Sequence, residues 1–149
     1  MKIIILLFWC VGIYAQSEKI NFIELEYDHT MQPASYTTKI IIESPYDKSS
    51  PITIKTTTKG KTVKEILSLE DFNKICFEIL ELSPRELVSN FNEGGDGATT
   101  TLRFGDLLNA ISYKAWGLNN EDLTYASPEL LRVVQMICNL AKIKIRDLN

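Results

Sequence analysis

Hydrophobic and polar positions change rhythm several times along this chain, and the changes mark its elements. Ile20 to Tyr27 alternates Ile23, Leu25 and Tyr27 against Glu24 and Glu26, the period of a strand with one wet face. Tyr36 to Glu43 repeats the rhythm, with Tyr36, Thr38, Ile40 and Ile42 opposed to Thr37, Lys39, Ile41 and Glu43. Ile52 to Thr58 does so again, and its β-branched side chains suit a pleated surface. Ser44-Pro45 and the stretch Asp47 to Pro51 separate these strands with turn-forming residues, and Lys59-Gly60-Lys61 turns the chain once more.

The period then lengthens. From Ser68 to Leu82, Leu69, Phe72, Ile75, Cys76, Ile79 and Leu80 recur at spacings of three and four, which predicts an amphipathic helix. Ser68 and Asp71 form a capping box at its start, and Pro84 bars its continuation at Ser83. Thr62 to Leu67 fits two readings, because Thr62 and Glu65 also resemble a capping box; the poor match of Val63 and Ile66 to the helical face favours a start near Ser68. Ser83-Pro84-Arg85-Glu86 is a second start signal, opening a short helix to about Asn90 with Leu87, Val88 and Phe91 for packing.

Past a glycine-rich segment, Asn92 to Gly97, the two-residue period returns. Ala98 to Phe104 sets Thr100, Leu102 and Phe104 against Thr99, Thr101 and Arg103. Gly105-Asp106 opens a hairpin, and Asn109 to Trp116 sets Ile111, Tyr113 and Ala115 against Ser112, Lys114 and Trp116. Ser127-Pro128 starts a last helix with a stripe of Leu130, Leu131, Val134, Ile137, Cys138, Ala141 and Ile145. The order βββαββα predicts an α+β two-layer sandwich: an antiparallel sheet of about five strands, two main helices on one face, and the other face open to solvent.

Composition adds an address. In the 149-residue chain, Lys2 precedes an apolar run from Ile3 to Ile13, and Tyr14-Ala15 precedes Gln16. This is the layout of a secretory signal peptide over 1–15, leaving 16–149 as a single exported domain, periplasmic or secreted. The run is too short for a stable membrane span. Removing Lys2 takes the net charge from −3 to −4, a sign opposite to that of a nucleic-acid binder. Cys76 and Cys138 remain after the leader. They read either as a disulfide suited to an oxidising compartment or as two buried thiols on helix faces.

Candidate chemistry is sparse. Asn92, Glu93 and Asp96 lack the spacing of a calcium loop, and the glycines around them are followed by neither a lysine nor a helix, so the phosphate-loop pattern is missing. One histidine, His29, cannot build a histidine-rich metal site, and nothing implies a cofactor. Glu24 and Glu26 share a strand face, with Lys39, Lys55 or Lys114 as cross-strand partners.

The outer sheet face as a whole carries more. Thr37, Thr53, Thr57, Thr99, Thr101, Arg103, Lys114 and Trp116 should share it, and Trp and Arg are enriched at energetic centres of interfaces. The expectation is a non-catalytic binding or inhibitor-like domain for a protein or envelope glycan, acting through Arg103, Trp116, Lys114, Thr99 and Thr101 or through the 92–99 loop with Asp96. Two alternatives belong to other classes. One is a small hydrolase using His29 with Asp28, Glu24, Glu26 or Asp96; the other is a structural component of the cell envelope.

Overall fold

A computed structural model of the chain describes residues 20–29, 37–47, 49–85, 98–116, 118 and 127–144, with His29 described by its backbone alone. The expected leader, the helix beyond Arg85, the loop up to Gly97 and Asp96 within it lie outside these residues.

The strands are β1 (Phe22–His29), β2 (Thr38–Glu43), β3 (Thr53–Thr58), β4 (Lys61–Ile66), β5 (Ala98–Gly105) and β6 (Ala110–Trp116). The helices are α1 (Leu69–Leu80), between β4 and β5, and α2 (Pro128–Leu140), after β6. All six strands form one antiparallel sheet in the order β4-β3-β2-β1-β5-β6. β2, β3 and β4 meander outward from β1; after α1 the chain returns to the opposite flank of β1. The first strand is therefore central, and the α+β sandwich is as expected.

Among the described residues the sheet has six strands, one more than the expected five or so. Lys59 and Gly60 both have positive φ, 51° and 74°, the signature of a two-residue hairpin turn whose twist matches antiparallel strands. Such a turn commits the chain to run back along β3, so Thr58 meets Lys61, Thr56 meets Val63 and Thr53 meets Ile66. The residues that fitted a helix start are thus β4. Leu67 still donates its N–H to the Ile52 carbonyl at 2.9 Å, and only Ser68 breaks from the sheet.

Ser68 caps α1 as its sequence implies. Its hydroxyl accepts from the Asp71 N–H at 3.0 Å and donates to the Asp71 carboxylate at 2.6 Å. Phe72, Ile75, Cys76 and Ile79 are buried, whereas Leu69 and Leu80, expected on the same stripe, flank it and remain 64% and 43% exposed. In α2, the Ser127 hydroxyl accepts from the Leu130 N–H, and Leu130, Val134, Ile137 and Cys138 are buried. Val133, outside the expected stripe, is buried too, while Leu131 is only partly covered. Arg132 of α2 and Glu78 of α1 tie the helices at 2.6 Å.

Both helices cover the inner face, where Ile23, Leu25, Tyr27, Ile40, Ile42, Ile54, Leu102 and Phe104 join one core with them. Each aliphatic side chain fully withdrawn from water contributes about 1.5–3 kcal/mol, so this shared interior stabilises the two layers as a unit. The cover is uneven. Ile111 of β6, expected on the buried side, is 52% exposed, near the turn end of an edge strand.

Candidate functional site

The uncovered face of the sheet can be read row by row from strand register. One row runs Lys64, Lys55, Ile41, Glu24, Arg103, Ser112 from β4 to β6. The next runs Thr62, Thr57, Lys39, Glu26, Thr101, Lys114. Beyond it Asp28 faces Thr99, which faces Trp116. Alternation puts these residues on the side opposite the helices.

Five of the expected binding residues therefore form one strip. Thr99 lies beside Trp116, Thr101 beside Lys114, and Arg103 beside Ser112. Arg103 and Lys114 are exposed, while the two threonines and Trp116 are half-buried. The register sets Trp116 in the outer row and not against the core. Arg103 is positioned by an aromatic neighbour: its guanidinium carbon stands 5.2 Å from the centre of the Phe22 ring. At a solvent-exposed site a contact of this type contributes about 0.5–1 kcal/mol.

Thr37, Thr53 and Thr57 are on the same face but elsewhere. Thr37 donates to the Asp28 carboxylate at 3.4 Å, and the Thr57 and Thr62 hydroxyls are 3.0 Å apart across β3 and β4. Thr37 and Thr57 serve local pairing, and the register brings none of the three beside Arg103 or Trp116.

At the centre of the face Lys39 reaches Glu24 at 2.9 Å and Glu26 at 3.3 Å. Of the three partners expected for these carboxylates, Lys39 is the one used. The bond to Glu24 is the main cause that raises the Lys39 pKa above its usual value. Two carboxylates sharing one ammonium form an ion-pair cluster, worth no more than about 1 kcal/mol per pair at this exposure. Both carboxylates face the same cation. His29 continues β1 opposite Ala98, and Asp28 beside it is exposed.

Sequence periodicity did not point to a cleft of about 440 Å³ at the end of this face. Phe22, Tyr46, Thr53, Lys64 and Leu107 line it, from three strands and two loops. The Tyr46 hydroxyl accepts from the Leu107 N–H at 3.3 Å, linking the β2–β3 and β5–β6 loops. The only sequence signal was the pair Leu107-Leu108 in a hairpin turn; both are exposed, because Asp106 folds the turn by accepting from the Leu108 and Asn109 N–H groups at 2.8 and 2.7 Å. A second cleft, of about 460 Å³, lies under β3 and β4 on the helix side, between Ile54, Val63 and Ile143.

Cys76 and Cys138 are free thiols in the core, and burial pushes both up to about 12, which keeps them protonated and unreactive at neutral pH. Among the described residues there is no cluster of three or more His, Cys, Asp or Glu able to hold a metal ion, and no helix long and apolar enough to cross a membrane. Compared with known families the chain matches none, and no curated protein is significantly similar to it.

Proposed function

We propose that this chain is an exported, non-catalytic domain that binds a protein partner through the β5–β6 strip of its open sheet face. The observation that carries the reading is the side-by-side placement of Arg103, Lys114 and Trp116 on a rigid, uncovered surface, with Arg103 held against Phe22. Arg and Trp are the side chains that most often dominate binding energy, and flanking Thr99 and Thr101 offer hydroxyls at the same strand spacing. Around this strip the face carries both signs of charge and only isolated apolar groups, the make-up of a surface that forms non-obligate complexes.

The test is capture from a native envelope extract by the immobilised domain. Trp116→Ala and Arg103→Ala should each lower capture at least tenfold while circular dichroism stays unchanged. Lys74→Ala, on the exposed side of α1, should have no effect. Undiminished capture by folded Trp116→Ala protein would remove the strip as the binding surface, and capture lost on glycan digestion of the extract would make the partner a glycan.

A further inference from the structure

Among the described residues the sheet ends in two strands, β4 and β6, each hydrogen-bonded on one side. The polarity of the β6 backbone follows from two bonds. Asn21 donates to the Gly105 carbonyl at 2.7 Å, so the backbone groups of Gly105 point toward the β1 side and those of Phe104 point toward β6. Asp106 donates to the Asn109 carbonyl at 2.8 Å, closing the hairpin in the same phase. Ile111, Tyr113 and Ala115, opposite Phe104, Leu102 and Thr100, therefore exchange hydrogen bonds with β5. The N–H and C=O groups of Ala110, Ser112, Lys114 and Trp116 project from the free edge.

Edge strands normally carry protection against pairing: lysines and other charges, proline, or a bulge. β6 pairs with β5 without interruption and contains no proline; its single charge, Lys114, lies on the open face and none points to the helix side. Ile111 is left 52% exposed at its start.

The sequence of β6 is also compatible with itself reversed. A two-fold contact requires each residue to meet its counterpart by symmetry, and outward-bonding residues must meet outward-bonding residues. With the axis through Tyr113, Ser112 meets Lys114 of the second copy, Ala110 meets Trp116, and Ile111 meets Ala115. Every residue of the strand is paired, Ala110 and Ala115 lie beside Trp116 and Ile111, Tyr113 meets its own counterpart, and no like charges are opposed. Moving the axis to Lys114 sets two ammonium groups face to face, which is destabilising. Moving it to Ser112 leaves the backbone of Trp116 without a β6 partner.

We propose that β6 pairs antiparallel with β6 of a second copy about a two-fold axis through Tyr113, joining two sheets into one. The helices of both copies then lie on one side, Ile111 is covered by Ala115 of the second copy, and the two open faces adjoin. This pairing does not depend on the binding role of the strip: the first is read from mass, the second from capture.

Sedimentation equilibrium of the domain should give twice the monomer mass. Ser112→Pro, which removes an outward N–H, should weaken association at least tenfold with native circular dichroism. Tyr113→Cys supplies a second arm that survives a folding failure of the proline variant. Residues facing across a non-hydrogen-bonded pair have Cα atoms about 4.5 Å apart, within disulfide range. Tyr113→Cys should then form a cross-linked dimer in air, while Ser112→Cys, facing Lys114 of the second copy, should not; Cys76 and Cys138 are buried and do not compete. A monomer at every concentration, a dimer indifferent to Ser112→Pro in folded protein, or equal cross-linking at the two positions would overturn the proposal.

Discussion

The two edges of the sheet are built differently. β4 alternates Lys61, Val63 and Glu65 on the helix side with Thr62, Lys64 and Ile66 on the open side. Its inward-facing Glu65 is held by Lys142 at 2.7 Å, across the mouth of a cleft. A strand joining β4 would have to lie against Glu65 and Lys61 and close that cleft. β6 turns Ile111, Tyr113 and Ala115 to the same side, and Tyr113 packs on Phe104 with ring centres 5.9 Å apart. One edge thus spends its inner positions on charge and remains loosely covered, while the other uses them to extend the core and is left open to pairing. Edge protection and core extension compete for the same side-chain positions, and this fold resolves the competition in opposite ways at its two ends.

The largest expected effect separates the interiors beneath the edges. Leu102→Ala, beside β6, leaves a cavity in filled core and should cost about 3–5 kcal/mol in urea denaturation. Ile54→Ala, on β3 beside β4, opens into an existing cleft and should stay nearer the low end, about 2 kcal/mol. Equal losses would erase the contrast in packing.

Alkaline titration isolates what both edges share. Burial raises the pKa values of Tyr27, Cys76 and Cys138 to about 12 in the folded state, above ordinary values of 10.0, 9.0 and 9.0. These groups bind their protons more tightly folded than unfolded, so their stabilisation is complete below pH 9 and is lost as pH rises toward 12. At pH 10 each thiol should have cost the fold about 1.4 kcal/mol. Denaturation midpoints that stay level from pH 8 to pH 10 would contradict the burial of both cysteines, and a Cys76→Ala, Cys138→Ala double variant should lose most of the slope.

Exchanging the guards tests the edges directly. Ile111→Glu gives β6 the inward charge of β4 and should weaken self-association at least tenfold, about 1.4 kcal/mol. Glu65→Ile does the reverse and should raise light scattering with time. The smallest effect is Lys142→Ala. Its ion pair with Glu65 is largely exposed, so stability should fall by less than about 1 kcal/mol, and the difference should vanish in high salt.

Much of this was legible from periodicity. The inward sets of β1, β2, β3 and β5, the Ser68 cap and the placing of Arg103, Lys114 and Trp116 on one face all follow from alternation and capping chemistry. Where two signals coincided, reading stopped. Thr62 to Leu67 carries β-branched residues and a false capping box, and only the positive φ of Lys59 and Gly60 decides for a strand. Periodicity also could not reveal that β6 ends the sheet, which is why Ile111 was expected inside. The partner of Glu24 and Glu26 stayed open among three lysines until strand order placed β2 beside β1.

By itself, then, the sequence determined which side of each segment avoids water, because a period of two or 3.6 is a local property of backbone geometry. Strand order, the identity of the edges, the clefts and the neighbours of each charge came from tertiary structure alone. They depend on which surfaces meet across long stretches of chain, and that choice is made by the summed packing of the whole core.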